Sequence, residues 1–299
     1  MTITRTTLVG GPAAAIFGGQ TFFAQEGIVI SPALELAEVI SDANGLLDET
    51  VVNAPVTIRL APSAPAANLA ALFPHLAAQA GSSLFGSVDT PLEIIGANGV
   101  RLTFPSVAVI TMPDLTLGAR GPVTGTVTFL ALGANGAAAQ AADRVVTLDL
   151  ASMPEVPSGS PLLCDDYTVS WGSASPWLGL RSRDGVRVAF EMETKPVRSD
   201  ANALVDLTLE KLTVEVRFAP STPGGPAEAD ALAGLVLEGA GSLPGHALSA
   251  QAAELVITGT TLSLNVAVAE LVRAELVFDA KRPRFGELTF RGTGAELIF

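Results

Sequence analysis

The sequence predicts a mainly β protein built as two homologous β-barrel or sandwich domains, each with one flanking α-helix. Three observations lead there. Val, Ile, Leu and Phe recur in short alternating groups broken by Gly and Pro, the texture of many short strands. At 299 residues the chain is long for one core and comfortable for two domains of about 150 residues. Finally, a 25-residue stretch occurs twice.

That repeat pairs Ser41 to Pro65 (SDANGLLDETVVNAPVTIRLAPSAP) with Ser199 to Pro223 (SDANALVDLTLEKLTVEVRFAPSTP), without a gap, at an offset of 158 and with 13 identities in 25 positions. Among the identities are Asp42/Asp200, Asn44/Asn202, Asp48/Asp206, Arg59/Arg217 and Pro62/Pro220. The match extends upstream, where Glu26-Gly27-Ile28-Val29-Ile30 faces Asp184-Gly185-Val186-Arg187-Val188. Downstream the offset drifts, as changes in loop length produce, yet Leu84-Phe85-Gly86 meets Leu243-Pro244-Gly245 and Gly125 to Phe129 meets Gly286 to Phe290. A period near 160 residues exceeds any solenoid or propeller unit, so the pattern reads as a tandem domain duplication. The predicted division is a first domain over 1–152, a Pro/Ser-rich linker over 153–161, and a second domain over 162–299.

Within each half the elements follow one order. In Val56-Thr-Ile-Arg-Leu60 and Val214-Glu-Val-Arg-Phe218 every second residue is apolar, so one face packs inward while Arg59 or Arg217 points away. Each strand is expected to stop at Ala-Pro-Ser, because Pro62 and Pro220 lack a ladder donor. A helix follows: Leu69, Leu72, Phe73 and Leu76 form one stripe, with Ser63 as N-cap, Gly81 as stop and a kink at Pro74. Leu232, Leu235 and Val236 repeat the spacing before Gly239. Strands then resume over 92–95, 102–104, 107–110 and 123–132, with an Asn98-Gly99 hairpin turn, and over 253–257, 262–268, 271–278 and 285–290.

The charge balance, 17 basic against 30 acidic residues for a net −13, opposes non-specific binding to nucleic acid or anionic membrane. The acidity is shared, with 5 basic and 12 acidic residues before position 157 and 12 and 18 after it. No apolar run is long enough to span a bilayer, and the N-terminus lacks a basic region followed by an apolar core. The expectation is a chain made in a cytoplasm, without a membrane anchor. The single cysteine, Cys164, cannot form an intramolecular disulfide and reads as a buried thiol.

Candidate chemistry is sparse, and the expectation is no catalytic, metal or cofactor site. His75 and His246 sit in no nucleophile motif and read as structural or surface side chains. One cysteine and two dispersed histidines cannot make a standard zinc site. Asp42, Asn44 and Asp48, repeated as Asp200, Asn202 and Asp206, form an oxygen-rich turn, but the spacing is not an EF-hand. The simpler reading is that these side chains fold back on the backbone and set the turn. Asp165-Asp166 beside Tyr167, Trp171 and Trp177 is the most enzyme-like cluster, yet adjacent carboxylates on a strand face opposite ways, and the aromatics read as core of the second domain. Gly239 to Gly245 resembles a phosphate loop but lacks Lys and leads toward strands, so it reads as a turn.

Taken in order, each half has a turn with Asp, a V-x-I/V-R-L/F strand ending in Ala-Pro, an amphipathic helix, a Leu-x-Gly turn, a hairpin, and a closing Gly-x-Val/Leu-Thr-Phe strand. This layout resembles the tube domain of the major tail tube proteins of long-tailed bacteriophages and tail-like particles, over Glu26 to Leu132 and Asp184 to Gly292. The resemblance implies six β domains per ring, stacked rings that conduct DNA, and, for a chain with two tube domains, homotrimeric pseudo-hexameric rings. It also implies tape-measure and tail-end proteins as partners, DNA that passes without specific binding, and a place in the virion tail. The alternative is another non-enzymatic β-sandwich assembly protein, a capsid decoration or adhesin module; a jelly-roll glycosidase comes third.

Overall fold

The computed structural model describes residues 12–41, 45–85, 90–118, 123–132, 147–159, 167–173, 177–198, 204–221, 252–278 and 283–299. The first half begins with β1 (Ala13–Phe17), β2 (Gln20–Pro32), β3 (Glu35–Ser41), β4 (Gly45–Asn53) and β5 (Val56–Ser63). A single helical turn, α1 (Ala66–Leu69), tightens into a 3-10 turn over Ala70–Leu72. There follow β6 (Leu92–Gly96), β7 (Val100–Phe104), β8 (Val107–Thr111), β9 (Leu115–Leu117), β10 (Val123–Thr124), β11 (Val127–Ala131) and β12 (Thr147–Leu150). The second half contributes β13 (Thr168–Trp171), β14 (Leu180–Arg198), β15 (Leu204–Pro220), β16 (Ala253–Thr258), β17 (Ser263–Phe278) and β18 (Pro283–Ile298). The protein is mainly β, as the alternating pattern predicts.

Among the described residues one eight-stranded sheet runs β12-β7-β6-β1-β2-β5-β11-β8, and a second runs β10-β9-β14-β13-β16-β17-β18-β15, with β14 also bonded to β15. Strands β3 and β4 form a separate pair. The register of one large sheet repeats in the other. Arg59 stands opposite Thr128 and Ile58 opposite Phe129, while Arg217 stands opposite Thr289 and Val216 opposite Phe290. Ala15 lies between Phe22 and Ile94, and Val169 between Leu180 and Ile257. Leu102 lies between Ile94 and Leu148, and Leu264 between Ile257 and Leu297. Gly27 and Gly185, aligned by the repeat, both have φ of 96°.

The halves differ where the chain is interrupted. Pro105 and Ser106 separate β7 from β8, whereas β17 runs unbroken. Proline supplies no ladder donor, which accounts for the break.

The molecule divides into two compact units, each of which draws on both halves of the sequence. Unit 1 comprises Met1–Pro113, Thr126–Ser158 and Met192–Lys211; unit 2 comprises Asp114–Gly125, Gly159–Glu191 and Leu212–Phe299. The cause is strand pairing. Leu117, Thr116 and Leu115 of β9 face Val186, Arg187 and Val188 of β14, so a first-half hairpin extends the second sheet. The far ends of β14 and β15 are counted with the first unit.

The core of unit 1 gathers Phe22, Ile58, Leu69, Leu72, Leu92 and Phe129, all 2% exposed or less. Phe17 meets Phe129 edge-on with ring centroids 4.9 Å apart. In unit 2, Trp171 lies 5.5 Å from Trp177 and 5.3 Å from Phe290, and its indole N–H donates to the Ala269 carbonyl at 2.9 Å. A buried indole satisfied in this way is a core residue.

Three local expectations need correction. The first helix lasts one α turn plus a 3-10 turn, its N-cap position is Pro65 and not Ser63, and no side chain caps it. Pro74 ends the stripe instead of kinking it, and Leu69, Leu72 and Phe73 are buried by this short segment. The long strands do end at Ala-Pro-Ser, β5 at Ser63 and β15 at Pro220. Pro62 pairs with Ala24 beside a register shift between Ala24 and Ile28, and at a bulge a missing donor is tolerated. The strand expected over 123–132 breaks at Gly125, whose N–H is held by the Asp114 carbonyl at 2.7 Å, while the strands expected over 262–268 and 271–278 join as β17. The second-half helix expected around Leu232 lies outside the described residues.

Candidate assembly surface

The repeated turn places its residues as follows. Asp42, Asn44, Asp200 and Asn202 lie outside the described residues. Asp48 accepts a hydrogen bond from the Glu49 N–H at 2.8 Å, and Asp206 accepts one from the Leu207 N–H at 2.7 Å. Both carboxylates therefore fold onto the adjoining backbone, in equivalent positions. Arg59 and Arg217 are exposed while Pro62 and Pro220 are buried, so the two copies of the long strand present the same faces.

Arg217 has a role that Arg59 lacks. The carboxylate of Glu215 is 6% exposed and lies between two guanidinium groups, with Arg217 Nε at 2.6 Å and Arg291 Nη2 at 3.2 Å. Glu215 and Arg291 are direct cross-strand neighbours. At the matching position the first half has Thr57, which leaves Arg59 no such partner in its own strand. The unlike residues at 57 and 215 were the available signal in the sequence, since Glu215 and Arg217, two apart on a strand, share one face.

His75 is 6% exposed, and its Nε2 donates to the Val109 carbonyl at 2.9 Å. Burial holds its pKa below the ordinary value, opposed by that bond. It is a satisfied structural histidine. Asp114 is pushed upward by burial, opposed by its bond to the Phe190 backbone. Arg101 binds Asp149 through Nε at 2.8 Å and approaches Glu93 at 3.4 Å, which ties β12 to β7 and β6 and holds the Asp149 carboxyl below the usual range. Tyr167, Trp171 and Trp177 are all buried, which leaves them unavailable as a sugar platform. Asp165, Asp166, Cys164, His246 and the Gly239 to Gly245 loop lie outside the described residues. Among the described residues no three His, Cys, Asp or Glu side chains cluster as metal ligands, and no helix is long and apolar enough to cross a membrane.

What the arrangement offers is backbone edges. In unit 1, the part of β15 around Leu207–Leu209 pairs with the segment after the short helix. The Leu84 N–H donates to the Leu207 carbonyl at 2.8 Å, the Leu209 N–H to the Ser82 carbonyl at 2.8 Å, and the Gly81 N–H to the Leu209 carbonyl at 2.7 Å. Ser83 and Thr208 form the bridge at the centre. Leu204, Leu207 and Leu209 are buried there. Arg198 adds an ion pair to Glu35 at 3.0 Å. The sequence offered no cue to this docking, because main-chain pairing carries no side-chain signature.

The counterpart hairpin of the first half, β3 with β4, has a different environment. Leu36 faces Val51 and Glu38 faces Glu49 across the pair. Leu36, Ile40 and Val51 are 48%, 65% and 48% exposed, and Leu34 just before them is 64% exposed. No protein-family model matches this chain, and no curated protein matches it.

Proposed function

We propose that this protein is a structural subunit that assembles into stacked rings forming the tail tube of a long-tailed phage or tail-like particle. In this reading the chain is a tandem duplication of one β-barrel domain, and three chains complete a pseudo-hexameric ring. DNA passes through the stacked rings without specific binding, and the protein performs no chemistry. Tape-measure and tail-end proteins are its further partners, and its place is the virion tail after synthesis in the host cytoplasm.

One observation carries the reading most: the pairing register Arg59–Thr128 and Arg217–Thr289 is shared, together with the equivalent glycines at 27 and 185. Two sheets wound in one register within one chain are what duplication of a ring-forming domain supplies. The return of β15, the last strand of the second run, onto β14, the third, joins β14-β13-β16-β17-β18-β15 end to end and fits a closed barrel. Open strand edges and exposed Leu36, Ile40 and Val51 fit a protein that assembles, since edges of this kind are a liability in a monomer.

The acidic balance fits a conduit for a polyanion, because each Lys or Arg set against a phosphate adds to binding by counterion release. The lumen wall is accordingly neutral or acidic. Electron microscopy of the purified protein tests the assignment: uniform rings or tubes are expected, with a reconstruction showing no continuous ring of Arg on the inner wall. Dispersed monomers across a wide concentration range would overturn the assembly, and an inner wall of Arg without matching Asp or Glu would overturn the account of the charge.

A further inference from the structure

We infer that the β3–β4 hairpin is the arm by which one copy of this chain grips a second, with the outer edge of β4 at Glu49–Val51 forming main-chain hydrogen bonds to the second half of that copy. This rests on the ring assembly proposed above and identifies the surface that makes it.

The chain contains a worked instance of the contact. The second-half hairpin uses Leu207 and Leu209 to bond the segment Gly81–Leu84 of the first half. The repeat offset of 158 maps Leu207, Thr208 and Leu209 onto Glu49, Thr50 and Val51. The turn geometry agrees in both copies, since Asp48 and Asp206 each accept from the next backbone N–H. Yet among the described residues β3 and β4 pair only with each other. The second half's hairpin is taken by a first half, so the hairpin left open is the one whose equivalent partner is a second half. A heterologous contact of this kind, repeated from copy to copy, closes a ring or continues as a filament.

Side chains point the same way. Glu38 and Glu49 stand directly opposite one another and both are exposed. Like charges in that position are destabilising unless a cation joins them. The second half carries 12 of the 17 basic residues, so of the two halves it presents more cations to such a pair, although its own balance is acidic. Leu36, Ile40 and Val51 supply apolar surface beside this pair. The docked hairpin has Leu207 where the open one has Glu49, so the two contacts share backbone geometry and differ in side-chain chemistry.

The test uses the full chain. By analogy with Leu209, the Val51 N–H points outward, so Val51→Pro deletes the edge donor while proline remains tolerable on an edge strand. A second variant, Ile40→Asp with Glu49→Lys, alters the face without touching the backbone. Sedimentation velocity is expected to show association weakened at least tenfold in both, with the near-ultraviolet signal of Trp171 and Trp177 and the thermal midpoint unchanged. Hydrogen exchange on the assembled wild-type protein is expected to be slowed at Glu49–Val51 relative to dilute chain, and this decides the matter if a variant fails to fold. Variants that assemble like the wild type, or exchange at Glu49–Val51 that does not slow, would overturn the inference and leave ring assembly to other contacts. A wild-type chain that stays monomeric overturns both.

Discussion

His75 shows how a single buried side chain links this fold to pH. Its imidazole is kept below the ordinary pKa of 6.5 by burial, the larger effect, against the bond to Val109. The unfolded chain therefore takes up a proton more readily than the folded one, and unfolding is favoured as the solution is acidified. The stability involved is whole above pH 6.5 and is lost as the pH falls from there through the depressed folded value. His75→Gln is expected to cost about 1 kcal/mol at pH 7.5, for the altered hydrogen bond. Its urea midpoint should then fall less than that of the wild type between pH 7.5 and 5. Parallel curves for the two proteins would show that His75 does not titrate in this window. Glu215 poses a different problem, a buried carboxylate lodged between Arg217 and Arg291, and its presence in only one half shows that the repeat has diverged in its chemistry more than in its register.

Among the elements, the junction of β9 with β14 is the most constrained. Gly185 has φ of 96°, and a Cβ there would sit 2.7 Å from the Leu117 carbonyl oxygen of β9. Gly27 has the same φ, but nothing lies within 4 Å of its Cβ position. Substituting either glycine by Ala incurs backbone strain of about 1–3 kcal/mol. Gly185→Ala additionally forces β9 away from its ladder, so it should be clearly the more destabilising in urea unfolding. Equal losses would mean that β9 yields without cost. The short helix belongs to this scale as well. An apolar stripe running to Leu76 predicts two turns or more, but a proline at 74 removes the donor that a longer helix requires, and the residues bury themselves from a turn instead.

At the scale of the molecule, the two compact units each draw segments from both halves of the chain. A linker cut should then leave the protein whole. A protease site introduced beside Val156, which is 78% exposed, is expected to give two fragments that co-elute from a sizing column in buffer and separate only in denaturant. Fragments that part in buffer would show that segments 114–125 and 192–211 contribute little to holding the two fragments together.

What the sequence determined by itself is local or repetitive. Period-two alternation marks strands because successive side chains leave a strand on opposite faces, so Ile58 and Leu60 face the core and Arg59 the solvent whatever their neighbours. The internal repeat is legible because it is written in the residues themselves, the aligned glycines at 27 and 185 among them. The tertiary structure alone decided the partners. Which edge β9 joins, and which of two related hairpins docks and which stays exposed, depend on the pairing of backbone donors and acceptors far apart in the chain. Every residue but proline carries the same donor and acceptor, so a strand edge has no side-chain code, and its partner is chosen only when the whole chain has folded around it.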